Sequence, residues 1–179
     1  PLRTPFGEKP LVYADYTASG RGLGFIEDYI REQVLPWYAN THTETTFTGA
    51  QTTALREQAR QQIRSAVNGT ADDQVIFCGT GATAAINKII DILNLRLPRD
   101  LADRYQLESQ IPDNQRPVVF IGPYEHHSNE LPWRESIADV VSISITDCGQ
   151  INLAELEQQL KAYADRPLLI GSFSAGSNV

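Results

Sequence analysis

The chain has 179 residues, 41% of them hydrophobic, and 15 Lys and Arg against 22 Asp and Glu give it a formal charge of −7. That length allows one compact domain with a real core, and the acidic balance argues against a nucleic-acid or membrane-surface partner, both of which need clustered Lys and Arg. No apolar stretch approaches the roughly 20 residues of a membrane span, and no signal-peptide pattern opens the chain. Two cysteines, Cys78 and Cys148, without CxxC spacing, suggest neither a disulfide framework nor a zinc site, so a reducing, cytoplasmic compartment is expected.

Residues 1–24 read as an N-terminal arm that holds a short apolar run, Leu11-Val12-Tyr13-Ala14, followed by the small polar segment Asp15-Tyr16-Thr17-Ala18-Ser19-Gly20. Phe25, Ile26, Tyr29, Ile30, Val34 and Leu35 recur at helical period, which predicts a helix over 25–38. A Thr-rich polar loop over 39–48 is unlike a Gly/Ser linker, and contacts would order it. Leu55 to Val67 reads as an amphipathic helix stopped by Asn68-Gly69. From there strands and helices alternate. Strands are predicted at 75–78, 118–121, 140–145 and 168–173, and helices at 80–95, 128–136 and 153–164. The segment 98–117 is a polar, Pro-containing surface excursion, and Asp147-Cys148-Gly149-Gln150 is a turn. Cys78 is expected as a buried core thiol. Such alternation predicts an α/β fold, a mostly parallel sheet with helices on both faces. No Met begins the chain, and its last strand runs to Val179 without a closing element. It therefore reads as part of a longer protein.

Two segments carry chemistry. Cys78-Gly79-Thr80-Gly81-Ala82-Thr83-Ala84 follows a predicted strand and opens a helix. Small residues allow close backbone approach, and a helix N-terminus offers free N–H groups and a positive dipole end. Either this is an anion site to which Thr83 adds a hydroxyl, or it is a plain strand-to-helix turn. It is not a P-loop, since no Gly-Lys-Ser/Thr follows. A dinucleotide-binding domain is disfavoured because no acidic residue stands at a strand end about 20 positions on. The second segment, Gly122-Pro123-Tyr124-Glu125-His126-His127-Ser128-Asn129-Glu130-Leu131-Pro132-Trp133, follows the 118–121 strand. Adjacent His residues are not a zinc pair, which wants i, i+4 spacing. A loop at the C-terminal end of a parallel strand is where α/β sheets place ligands. An imidazole there either stacks and moves protons or is incidental to a solvated loop.

Taken together these segments resemble the class V aminotransferase and cysteine desulfurase family, fold type I enzymes that use pyridoxal 5′-phosphate. Gly81-Ala82-Thr83 is similar to the turn that holds the cofactor phosphate there, with Ala84 in place of a frequent Glu. Glu125-His126-His127-Ser128-Asn129 with Pro132-Trp133 resembles the family segment whose first His stacks on the cofactor ring, which implies a catalytic and cofactor-binding role for His126 and a supporting one for His127. Asp15 and Ala18 fall in a segment similar to the one lining the active-site mouth, although Asp15 reads better as a turn former. Asn40-Thr41-His42 resembles a loop near the substrate entrance, often of a dimer partner, and Arg56 in the following helix fits that spacing. Asn178 matches an Asn close to the cofactor 3-hydroxyl. The resemblance spans about residues 11–179. It implies an incomplete large domain over 25–179, an amino-acid substrate, a homodimer, and no metal. The lysine that carries the cofactor, the acidic partner of its ring nitrogen, the desulfurase Cys and the carboxylate-binding Arg all come later in the family's chain. Lys9, Lys88 and Lys161 read as surface residues, and neither Cys78 nor Cys148 matches the sulfur-carrying Cys. This stretch alone is therefore expected to be inactive. A non-catalytic binding or assembly domain that keeps the same fold is the alternative.

Overall fold

The computed structural model describes residues 1–176. The chain divides into two compact units, Pro1–Phe77 and Cys78–Val179.

In the first unit an antiparallel hairpin pairs β1 (Leu2–Thr4) with β2 (Gly7–Lys9). Its turn combines Pro5, whose ring sets φ, with Gly7 at φ +90°. The helix expected over 25–38 forms as three geometries in succession: α1 (Gly24–Tyr29), a π-helical turn (Ile30–Val34) and a 3-10 turn (Leu35–Trp37). Pro36 lacks the N–H that would continue an α-helical ladder, so the segment ends in the tighter turn. Helix α2 (Phe47–Ala66) starts eight residues before the expected Leu55, capped by the Thr46 hydroxyl, which accepts from the Gly49 N–H at 3.2 Å. Asn68 takes the left-handed conformation (φ 58°), with Gly69 N–H donating to Arg64 C=O at 2.8 Å and Asn68 N–H to Ser65 C=O at 3.1 Å. This is the Schellman arrangement that the Asn-Gly pair predicts. The Thr-rich loop is ordered by α2: Thr52 and Thr53 hydroxyls accept from the backbone N–H groups of Ala39 and His42.

The second unit is built on a parallel sheet in the order β4–β3–β5, with β3 at Val118–Ile121, β4 at Asp139–Ser142 and β5 at Leu169–Ser172. All four residues of β3 are buried, as a central strand covered on both sides requires. Strand alternation splits them. Val119 and Ile121 pack with Ile86 and Ile90 of α3 (Gly81–Ile92) and with Trp133 of α5 (His127–Arg134). Val118 and Phe120 pack with Ile143 and with Leu156 of α6 (Leu153–Ala162) and Tyr163 just beyond it. Helices thus lie on both faces of a parallel sheet, the architecture that the alternation of elements predicts. Each fully buried side chain of this kind contributes about 1.5–3 kcal/mol.

Three expectations are corrected. Residues 75–78 carry no strand assignment, although their apolar content suits a strand. Cys78 is half-buried rather than buried. The 98–117 excursion contains a helix, α4 (Arg99–Tyr105), with Asp100 in its first turn, Arg104 in its last and Ala102 buried. That charge placement suits the helix dipole.

Candidate functional site

The C-terminal edge of the sheet gathers the chemistry-bearing residues of the second unit. Strand β3 delivers the chain to Gly122 and Glu125, and α5 begins immediately after His126. At the far end of α3, Asn94 (φ 55°) and Leu95 close a second Schellman turn, and the Leu95 C=O accepts from Ile137 N–H at 2.8 Å, just ahead of β4. Helix α3 therefore ends at the N-terminal edge of the sheet. The helix packs against α5 through Ile86 and Ile90 beside Trp133, and its first residues, Gly81, Ala82 and Thr83, therefore lie towards the opposite edge.

His126 is the N-cap of α5. Its Nδ1 accepts from the Ser128 N–H at 3.2 Å and lies 2.9 Å from Ser128 Oγ. Accepting a backbone N–H occupies the Nδ1 lone pair, so the neutral ring carries its proton on Nε2. The ring is exposed. His127 is the first residue of α5, its ring 5.8 Å from that of His126 and tilted 44°.

The Glu125 carboxylate beside it is surrounded by donors. It accepts from Gly122 N–H (3.3 Å), Asn129 Nδ2 (2.7 Å), Ser174 N–H (2.9 Å) and Ser174 Oγ (2.6 Å). Burial pushes this carboxyl up, but the Ser174 hydroxyl, the Asn129 amide and the two backbone N–H groups together outweigh it and hold it below 4.5. The network continues inward. Asn129 Nδ2 donates to Ser172 C=O at 3.1 Å, Ser172 Oγ donates to Asn129 Oδ1 at 2.6 Å, and the buried Trp133 donates Nε1–H to Ser172 Oγ at 3.2 Å. Glu125, Asn129, Ser172 and Ser174 carry no site expectation from the sequence. The apparent signal is Asn129 and Trp133 at i, i+4, one face of the helix that β5 borders.

The α3 turn fits a phosphate. Gly81 has φ +64°, and a side chain at Gly79 or Gly81 would meet nothing within 4 Å. No side chain caps the N-terminus of α3, and the exposed Thr83 hydroxyl has no hydrogen-bond partner among the described residues. Free N–H groups, a free hydroxyl and open space make an anion cradle. A pocket of about 200 Å³ lies along the same edge, lined by Gly122, Tyr124, Glu125, Ile151, Phe173 and Ser174. A larger cavity of about 520 Å³, lined by Arg96, Arg99, Glu108 and Ile137 among others, lies at the N-terminal edge. Its arginines are engaged, Arg96 with Asp91 at 3.3 Å and Arg99 with Asp103 at 3.0 Å. The C-terminal edge is the better site, because ligands of open α/β sheets bind there.

Asp15, Ala18 and His42 belong to the first unit. Asp15 Oδ1 accepts from Ala18 N–H at 3.3 Å, and its C=O accepts from Tyr13 Oη at 3.0 Å, the turn-forming role its position suggests. His42 takes a left-handed φ of 70°, and its Nε2 lies 3.4 Å from Arg56 Nη1. Asn178 lies outside the described residues. Lys9, Lys88 and Lys161 are all exposed. Among the described residues no three His, Cys, Asp or Glu are grouped to hold a metal ion, and no helix is long and apolar enough to cross a membrane.

The aminotransferase class-V family model matches residues 12–178. The chain belongs to this family. Among class V relatives, a probable cysteine desulfurase of Streptomyces coelicolor is 27% identical over 152 residues, covering 83% of this chain and 34% of its own length. A cysteine desulfurase of Synechococcus elongatus is 25% identical over 174 residues, covering 95% of this chain and 25% of its own. The chain thus spans about a third or less of these class V relatives. The apo structure of a cysteine desulfurase from Thermococcus onnurineus NA1 superposes with a TM-score of 0.64 at 19% identity, over 92% of this chain and 36% of that one. That likeness establishes the fold, the fold type I α/β arrangement expected for class V enzymes, whose members depend on pyridoxal 5′-phosphate.

Proposed function

We propose that the complete protein carrying these residues is a pyridoxal 5′-phosphate enzyme acting on an amino acid, with cysteine desulfurase or selenocysteine lyase chemistry favoured over transamination. The observation that carries this reading is the shared sheet edge: the uncapped start of α3 with Thr83, and β3 leading to His126 at the start of α5. The names of the relatives favour the desulfurase branch.

In this reading the backbone N–H groups at Gly81 and Ala82 and the Thr83 hydroxyl hold the cofactor phosphate. The cofactor, when bound, supplies an electron sink for the substrate's α-carbon. His126 stacks on its ring. With Nδ1 committed to Ser128, His126 exchanges protons at Nε2 alone, which the helix cap keeps aimed away from α5. By resemblance to the family, Asn178 is assigned to the cofactor 3-hydroxyl and Asp15, Ala18 and His42 to the substrate mouth. Residues 1–24 form an arm and residues 25–179 part of a large domain. The enzyme is cytoplasmic and homodimeric, and this chain by itself is inactive. The test is an assay of the complete protein with L-cysteine, a thiol reductant and pyridoxal 5′-phosphate. Equimolar alanine and sulfide support the reading; keto-acid formation moves it to the aminotransferase branch; neither product from any amino acid contradicts it.

A further inference from the structure

The Glu125 cage belongs to neither cofactor contact described above, yet it joins the segments that carry them. Its five hydrogen bonds among the described residues come from three places in the chain: Gly122 at the exit of β3, Asn129 in α5, and Ser174 beyond β5. These bonds cross 49 residues of sequence to Ser174. Asn129 doubles the connection through Ser172, at the end of β5.

The chemistry of the cage selects for one group. Oε1 faces the N–H groups of Gly122 and Ser174, and Oε2 faces the Asn129 amide N–H and the Ser174 N–H and hydroxyl. Every partner can donate, and only an ionised carboxylate is acceptor-only on both atoms. A glutamine would turn its own NH2 towards a donor in either orientation, and an aspartate is one methylene short. We propose that Glu125 is a positioning residue, a carboxylate clasp that locks the exit loop of β5 to the loop carrying His126 and so fixes the approach of both to the bound cofactor. The proposal rests on the cofactor reading only for its last clause; the clasp itself is a property of the protein alone.

The consequence is a dependence on Glu125 that its lack of cofactor contact would not predict. Releasing the carboxylate frees His126 on one side and the segment after Ser172 on the other, while the strand ladder of β3, β4 and β5 keeps its own hydrogen bonds. Loop order and cofactor affinity should therefore fall together, with the sheet intact.

Hydrogen–deuterium exchange of the complete protein, with and without pyridoxal 5′-phosphate, tests this with E125Q, E125D and S174A. In E125Q the peptides covering 122–126 and 172–176 should exchange on the order of tenfold faster, as expected for loss of charge-assisted bonds. Peptides from β3 and β4 should not change. S174A keeps the backbone donation and should fall between E125Q and the parent; E125D, which keeps the charge, should recover part of the protection. Cofactor affinity, read from visible absorbance, should weaken in the same order. Parent-like exchange in E125Q overturns the clasp whatever the cofactor does, and so does acceleration spread over the whole sheet, which would mark a general packing role. Faster exchange at both loops in E125Q, with a parent protein that takes up no cofactor, would keep the clasp and refute the cofactor reading instead.

Discussion

Two roles meet in the His126 ring: Nδ1 caps α5, and under the proposed function the exposed Nε2 exchanges protons. The two can be separated. His126→Phe keeps a flat ring for stacking and loses both the cap and the proton. It should retain bound cofactor, lose about 10²–10⁴-fold in turnover, and lose roughly 1 kcal/mol of stability from the cap. His127→Phe should change neither strongly. Steady-state kinetics with absorbance spectra on the same samples decide this, and a His126→Phe enzyme with parent turnover would reduce His126 to packing. The sequence points to His126 and Thr83 because each falls where a predicted strand gives way to a predicted helix, and of the two only His126 follows a strand in the structure. Glu125 is equally close to His126 in sequence but not legible in the same way. Its partner Ser174 is 49 positions away, and Ser172, which bonds to Asn129, is 43 positions from that residue; only the parallel pairing of β3 with β5 brings them together.

Helix α5 is held to the sheet by Trp133, buried at 2% exposure with its N–H satisfied by Ser172. Trp133→Ala should cost about 3–5 kcal/mol by the cavity it leaves. Trp133→Phe fills most of that space and should cost about 1 kcal/mol, mainly the lost hydrogen bond. Urea unfolding midpoints of the two variants measure the difference; equal costs would mean the indole N–H, not packing, holds the helix. At this scale the apolar periods locate β3, α3 and α6 to within a few residues, because those elements bury one face or both against the sheet. The period over 25–38 is helical but says nothing of Pro36, whose missing donor splits the segment into three geometries. Likewise residues 75–78 have the composition of a strand and carry no strand assignment.

Across the second unit, two ionic anchors hold opposite edges of the sheet. Arg166 spans the N-terminal edge, donating to Asp139 Oδ2 at 2.6 Å and to Arg116 C=O at 2.8 Å. Glu125 spans the C-terminal edge. Its carboxyl titrates below the ordinary 4.5 in the fold, so the unfolded chain binds its proton first as pH falls. The stability it contributes is complete above about pH 4.5 and is lost as pH drops through the lower folded value. The groups bonded to it, Ser174, Asn129 and Gly122, are neutral donors that do not titrate alongside it. The gap in unfolding midpoint between parent and E125Q should therefore close as pH falls below 4.5; a gap that stays constant would show that the charge contributes nothing. The α/β class, the parallel sheet and the family are all legible in the sequence because strand–helix alternation and four short motifs recur in one order. The proposed function stands or falls on the cofactor. Titrating the complete protein with pyridoxal 5′-phosphate while recording visible absorbance tests that most directly. A saturable protein-bound band is predicted, with Thr83→Ala weakening binding by roughly 1.5–3 kcal/mol, about 10- to 150-fold. No bound band at saturating cofactor, or a Thr83→Ala protein that binds as tightly as the parent, would contradict it.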